Sequence, residues 1–216
     1  MRSPAIATVM AAATLAALPS TAAAIDPDMR VVIRIYENTT LPGDRAVALA
    51  AAGAILDDAG FVVSWVGCEG VSGRRDDDDR CVMPLAANEL AIRFVRLPPG
   101  RGQMGQVALG SSLVDTRLRA GALATVYVDR VAVLAARCRL DVGTLLGRAI
   151  AHEVGHLLLG TTDHASAGLM RAAWSRNALR HKDPGDWVFT PRDGLALRTA
   201  LRLRTARQLG AARENE

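Results

Sequence analysis

His152-Glu153-Val154-Gly155-His156-Leu157-Leu158-Leu159-Gly160-Thr161-Thr162-Asp163-His164 is the stretch that organises the rest of the chain. Upstream of it, Leu145, Leu146, Ala149 and Ile150 extend a pattern that is apolar on almost every side, which predicts a buried helix to about Leu159. Asp141 is placed to cap its start. Four residues of helix advance ~400° and rise ~6 Å, so His152 and His156 stand on one face, a turn apart. Two imidazoles so placed can share a tetrahedral zinc at ~2.0–2.1 Å. Glu153, beside the first of them, can reach a water on that metal and take its proton without binding the metal itself. A buried helix can also hold two histidines for packing alone.

The remaining histidines bear on that choice. The chain has four, and three fall within thirteen residues, at 152, 156 and 164. In an unbroken helix His164 would lie ~18 Å along the axis from His152, too far to share an ion. Gly160 stands where a left-handed residue would end the helix, letting Thr161-Thr162-Asp163 swing His164 back. Three histidines with one open position make a catalytic zinc site, not a closed structural one. Asp163 is the alternative third ligand, because a carboxylate binds zinc at similar distances. His181 lies in a polar stretch and reads as a surface histidine.

Working outward, branched and alternating residues predict strands at 31–36, 61–65, 90–95 and 124–129, with a weaker signal at 107–113. Pro42-Gly43-Asp44 opens an alanine-rich helix to Ala59, which Gly60 ends. Thr190 and Pro191 start a last helix with leucines on one face and arginines, Arg198 to Arg207, on the other. No repeat and no Pro/Ser-rich linker interrupts the chain. It reads as one α+β domain over 25–216, a mixed sheet of about five strands with a backing helix, a buried helix and a C-terminal helix.

The compartment is read from the N-terminal residues. Met1-Arg2, an apolar run over 5–18, Pro19-Ser20 and Ala22-Ala23-Ala24 have the layout of a signal peptide over 1–24. The run is shorter than the ~20 residues a membrane span needs, so no stable membrane insertion is expected after cleavage. A secreted or periplasmic location makes a Cys68–Cys81 disulfide plausible and leaves Cys138 over. Asp76 to Asp79 are contiguous, whereas calcium loops need spaced ligands and a turn glycine, so they read as a solvated run. The net charge of +4 is small and concentrated on the last helix, which reads as a solvated face and argues against nucleic acid as a partner.

The histidine stretch resembles the metzincin metallopeptidases, whose motif is His-Glu-x-x-His-x-x-Gly-x-x-His followed by a methionine turn. Here one residue is added before the glycine and one before the third histidine, and Ala167-Gly168-Leu169-Met170 resembles the turn. A closer resemblance is to a group of bacterial secreted proteins with the same His-Glu-x-x-His-Leu-Leu-Leu-Gly run followed by Gly-x-Met-Arg-Ala-x-Trp, here Gly168 to Trp174. The likeness covers 31–170 in layout and the histidine-to-methionine stretch in motif. It implies a zincin/metzincin-like fold, Zn2+ on His152, His156 and His164, Glu153 as catalytic base and Met170 as an apolar floor. It also implies a peptide or protein substrate added as a strand to the sheet edge at 107–113. Metzincins often supply a tyrosine after the turn, but the tyrosines here are Tyr36 and Tyr127. The metal would then carry most of the oxyanion stabilisation. The chain therefore reads as a secreted zinc metalloendopeptidase. The alternatives are a secreted zinc-binding protein without hydrolytic activity, or a zinc amidase acting on a non-peptide amide.

Overall fold

Val31, Ile33 and Ile35 alternate along the first strand and are buried on one face of a sheet, as their spacing requires. The computed structural model describes residues 26–37, 45–68, 78–96, 108–180 and 183–214. Residues 1–24, expected to be a signal peptide, Pro42 to Asp44, Asp76, Asp77 and His181 lie outside the described residues. Five strands form one sheet: β1 (Arg30–Glu37), β2 (Val62–Gly67), β3 (Glu89–Val95), β4 (Gly110–Asp115) and β5 (Ala120–Tyr127). Their order is β2-β1-β3-β5-β4; all neighbours are parallel except β4, which pairs antiparallel with β5 and forms an edge. Arg34, on the opposite side of β1, is buried and neutralised by an ion pair with Glu89 of β3.

Helix α1 (Arg45–Asp58) links β1 to β2 and buries Ala48, Ala52, Ile55 and Leu56. A short α2 (Asp78–Val82) carries Cys81, which forms a disulfide with Cys68, and Cys138 is free and buried. Helix α4 (Val142–Leu159) is the expected buried helix, and Asp141 caps it by accepting from the Thr144 N–H at 2.7 Å. It lies against α1, β4 and β5. Gly147 permits the approach of α1, because a Cβ there would stand 2.5 Å from the Ala48 carbonyl oxygen.

Two expectations change. The fifth strand ends at Tyr127, and α3 (Val128–Cys138) begins at the next residue. Asp129 thus lies in a first helical turn, where the helix dipole favours a carboxylate. Val128, Val131, Ala135 and Cys138 form its buried face. After a short α5 (Arg176–Arg180), the last helix α6 (Pro191–Glu214) starts with a reciprocal cap: Thr190 Oγ1 accepts from the Asp193 N–H and the Asp193 carboxylate accepts from the Thr190 N–H, both at 3.2 Å. Its arginine face is not simply solvated. Arg198 donates to the Ala59 carbonyl at 2.6 Å, Arg204 to Glu89 O at 3.2 Å and Arg207 to Leu118 O at 3.0 Å. These bonds strap α6 across the ends of other elements. Among the described residues no helix is long and apolar enough to cross a membrane.

Candidate metal centre

His152 and His156 occupy the last turns of α4, both buried. Gly160 closes the helix in the left-handed conformation, φ 62°, its N–H donating to His156 O at 2.9 Å. A Cβ on Gly160 would fall on the backbone carbonyl of Arg119, in the turn between β4 and β5, so this position needs glycine for its dihedral and for its closeness. Beyond it the chain doubles back and brings His164, which is exposed, to the other two. Ring centroids are 4.7 Å apart for His152 and His156, 4.8 Å for His156 and His164, and 5.4 Å for His152 and His164. One nitrogen from each ring lies within 4.8 Å of the others. Asp163, the other candidate for third ligand, is exposed and is not part of this group.

The hydrogen bonds around the rings fix what those nitrogens offer. His152 Nδ1 stands 2.9 Å from the Leu169 carbonyl, and His156 Nδ1 stands 2.9 Å from the Thr161 carbonyl. A carbonyl only accepts, so each Nδ1 carries the proton and each Nε2 presents a lone pair. Burial holds His152 down to about 4 and pushes His156 below its ordinary range as well, which keeps both rings neutral at pH 7. The two Nε2 atoms face each other at 3.0 Å. Tetrahedral ligands of one zinc stand ~3.3 Å apart, so two bare lone pairs at this spacing suit a shared cation. Three imidazole nitrogens are a zinc donor set, and zinc is the metal that fits the group.

Met170 is buried below, and a Cβ on Gly155 would stand 2.6 Å from its sulfur, so the helix rests directly on it. The turn that holds Met170 is tied by Ala165 N–H to Met170 O at 2.8 Å and by Leu169 N–H to Val188 O at 2.9 Å. Its Leu169 carbonyl also accepts from the Trp174 indole at 3.3 Å, and Trp174 packs edge-on against His152 with centroids 5.7 Å apart.

Glu153 is held by the edge strand. Ser112 Oγ donates to Glu153 Oε2 at 2.7 Å and lies 3.0 Å from its backbone carbonyl. Gly110, two residues earlier on the same face of β4, leaves room for the carboxylate: a Cβ there would stand 2.7 Å from its Cγ and Cδ. Burial raises the Glu153 pKa to about 7, while the Ser112 bond pulls the other way. A cation on the histidines would favour the ionised form.

Ser112 and Gly110 are absent from the expected site. Strand alternation was the one signal for them, since it sets Gly110 and Ser112 on the face opposite the exposed Leu113. The tyrosine hydroxyls bond elsewhere, Tyr36 to Cys81 O at 2.9 Å and Tyr127 with Ser111 at 3.1 Å.

Among solved structures the chain is similar to archaemetzincin from Methanopyrus kandleri, with a TM-score of 0.51 and 15% identity over 82% of this chain and 99% of that one. It also aligns with a zinc-dependent peptidase from Methanocorpusculum labreanum, at a TM-score of 0.47 and 15% identity over 76% of this chain and 99% of that one. No protein-family model and no curated protein matches the sequence. The likeness to archaemetzincin shows the fold: a mixed five-stranded α+β sheet of the zincin/metzincin-like kind.

Proposed function

We propose that the chain is a secreted zinc metalloendopeptidase, with His152, His156 and His164 as metal ligands and Glu153 as the catalytic base. The observation that carries this reading is the pairing of three convergent imidazoles with a buried carboxylate on the residue after the first, which a purely structural zinc does not need. The likeness in fold to archaemetzincin, together with the metzincin-like motif, supports it. The Cys68–Cys81 disulfide suits an oxidising compartment and supports export.

When bound, zinc would acidify a water and polarise a carbonyl. The chain's own groups do the rest. The Leu169 and Thr161 carbonyls hold the His152 and His156 rings in the tautomer that ligates. Glu153 accepts a proton from the attacking water at a carboxylate oxygen and later passes it to the leaving amine. Ser112 fixes the carboxylate through Oε2, which leaves Oε1 for that exchange. The edge of β4 not paired with β5 offers backbone groups to an extended peptide beside Glu153, which is why we favour cleavage within chains.

The test is digestion of a mixed peptide library by the zinc-loaded mature protein beside Glu153→Gln. Cleavage by the wild type, with turnover down at least about a hundredfold in the variant while zinc is retained, is expected. An inert wild type with zinc still bound would move the reading to a zinc-binding protein or an amidase for non-peptide amides.

A further inference from the structure

A second concavity lies behind the metal site, at the N-terminal half of α4. It is a cavity of 1120 Å³ between α1, the end of α3, α4, α5 and the turn at Pro184–Trp187. None of the candidate metal ligands and not Glu153 lines it. Its charged lining is four arginines, Arg137, Arg139, Arg148 and Arg180, against one aspartate, Asp141. That aspartate is already engaged, since both the N–H and the hydroxyl of Thr144 donate to it, at 2.7 and 2.8 Å. The lining is thus strongly cationic in a chain whose overall charge is only +4.

One arginine of the wall is stacked on a ring and has no carboxylate partner among the described residues. The Arg148 guanidinium lies 3.8 Å over the Trp187 ring, and among the described residues no carboxylate or carbonyl accepts from it. Trp187 is 5% exposed, and its indole N–H is buried with no acceptor among the described residues. A guanidinium stacked on a ring and left without a carboxylate partner is free to take an acceptor from outside. The planar fork of arginine suits two oxygens of one group.

We propose that this cavity binds an oxyanion of carboxylate or phosphate type, gripped by Arg148, which the Trp187 ring holds in place, with Arg139 and Arg180 around it. The cavity's other lining, Ala51, Ile55 and Leu179, gives the ligand an apolar body of modest size. Trp187 also packs edge-on against Trp174, 5.4 Å between centroids, and Trp174 against His152. The site therefore sits two aromatic rings from the metal centre and is independent of the peptidase reading.

The zinc-loaded mature protein is titrated with inorganic phosphate and, separately, with succinate, at ionic strength held constant by sodium chloride. Tryptophan fluorescence and melting temperature are followed. A saturable response to either anion is expected, and the anion that gives it identifies the source. Arg148→Gln should weaken that binding about tenfold or more, and Arg180→Gln, at an exposed position where folding is not at risk, several-fold. A response that follows ionic strength alone would overturn the proposal. So would one that survives undiminished in both variants, which would place the anion on the metal.

Discussion

At the scale of single residues, the site is defined by protons that are already placed. His152 titrates near 4 in the folded chain against an ordinary 6.5, because its charged form is buried. Between those values the unfolded chain binds a proton that the folded one refuses, so stability falls as pH drops through this window. The His152 part of this loss reaches about 3 kcal/mol by pH 4, while Glu153, held up at about 7 by burial, contributes stability of the opposite sign over the same window. The His152 part is therefore read as the difference in acid sensitivity between wild type and His152→Gln, in urea unfolding of the chelated proteins at pH 7, 5.5 and 4; an equal pH dependence in both proteins would refute the burial argument. The convergence of the three histidines was legible in the sequence because helical geometry sets the spacing of two of them and Gly160 turns the chain back for the third. Ser112 and Gly110 were not, because a serine bonded to a carboxylate and a glycine making room for it carry no signature outside their strand. The oxyanion pocket was equally hidden, since its arginines come from three helices and a turn.

At the scale of elements, the ends were read better than the middles. Asp141 and Thr190 announced α4 and α6 through capping chemistry, and Gly160 announced a stop. The boundary between β5 and α3 has no such mark: Tyr127 and Val128 are both good strand residues, and the switch rests on the buried face formed by Val128, Val131, Ala135 and Cys138. The stop at Gly160 can be tested. Gly160→Ala meets an unfavourable left-handed dihedral, ~1–2 kcal/mol, and in addition a clash with the Arg119 backbone. A fall in melting temperature of several degrees is expected, with weaker zinc retention in a chelator competition as His164 is displaced. A variant as stable and as metal-tight as the wild type would mean that the turn does not depend on glycine.

At the scale of the whole molecule, the sheet order β2-β1-β3-β5-β4 joins strands far apart in sequence, and local patterns do not encode which strand neighbours which. The count and approximate places of the strands were readable; their order was not. The disulfide lies at this scale too, since it ties the end of β2 to α2 across a separation of 13 residues. Its loop-closure contribution is about 3 kcal/mol. Cys68→Ser with Cys81→Ser should lower the urea midpoint accordingly while zinc content stays the same. Loss of zinc in that double variant would show that the loop supports the metal site as well.

Two glycines join the sheet edge to the helix beneath it. Gly110 touches the carboxylate of Glu153 at one end of β4, and Gly160 touches the backbone of Arg119 at the turn beyond its other end. Both contacts are made by the protein on itself, so the edge strand and the helix are held as one block. A side chain added at either glycine would push the strand outward, and the carboxylate of Glu153 or the stop at the helix end would have to shift with it.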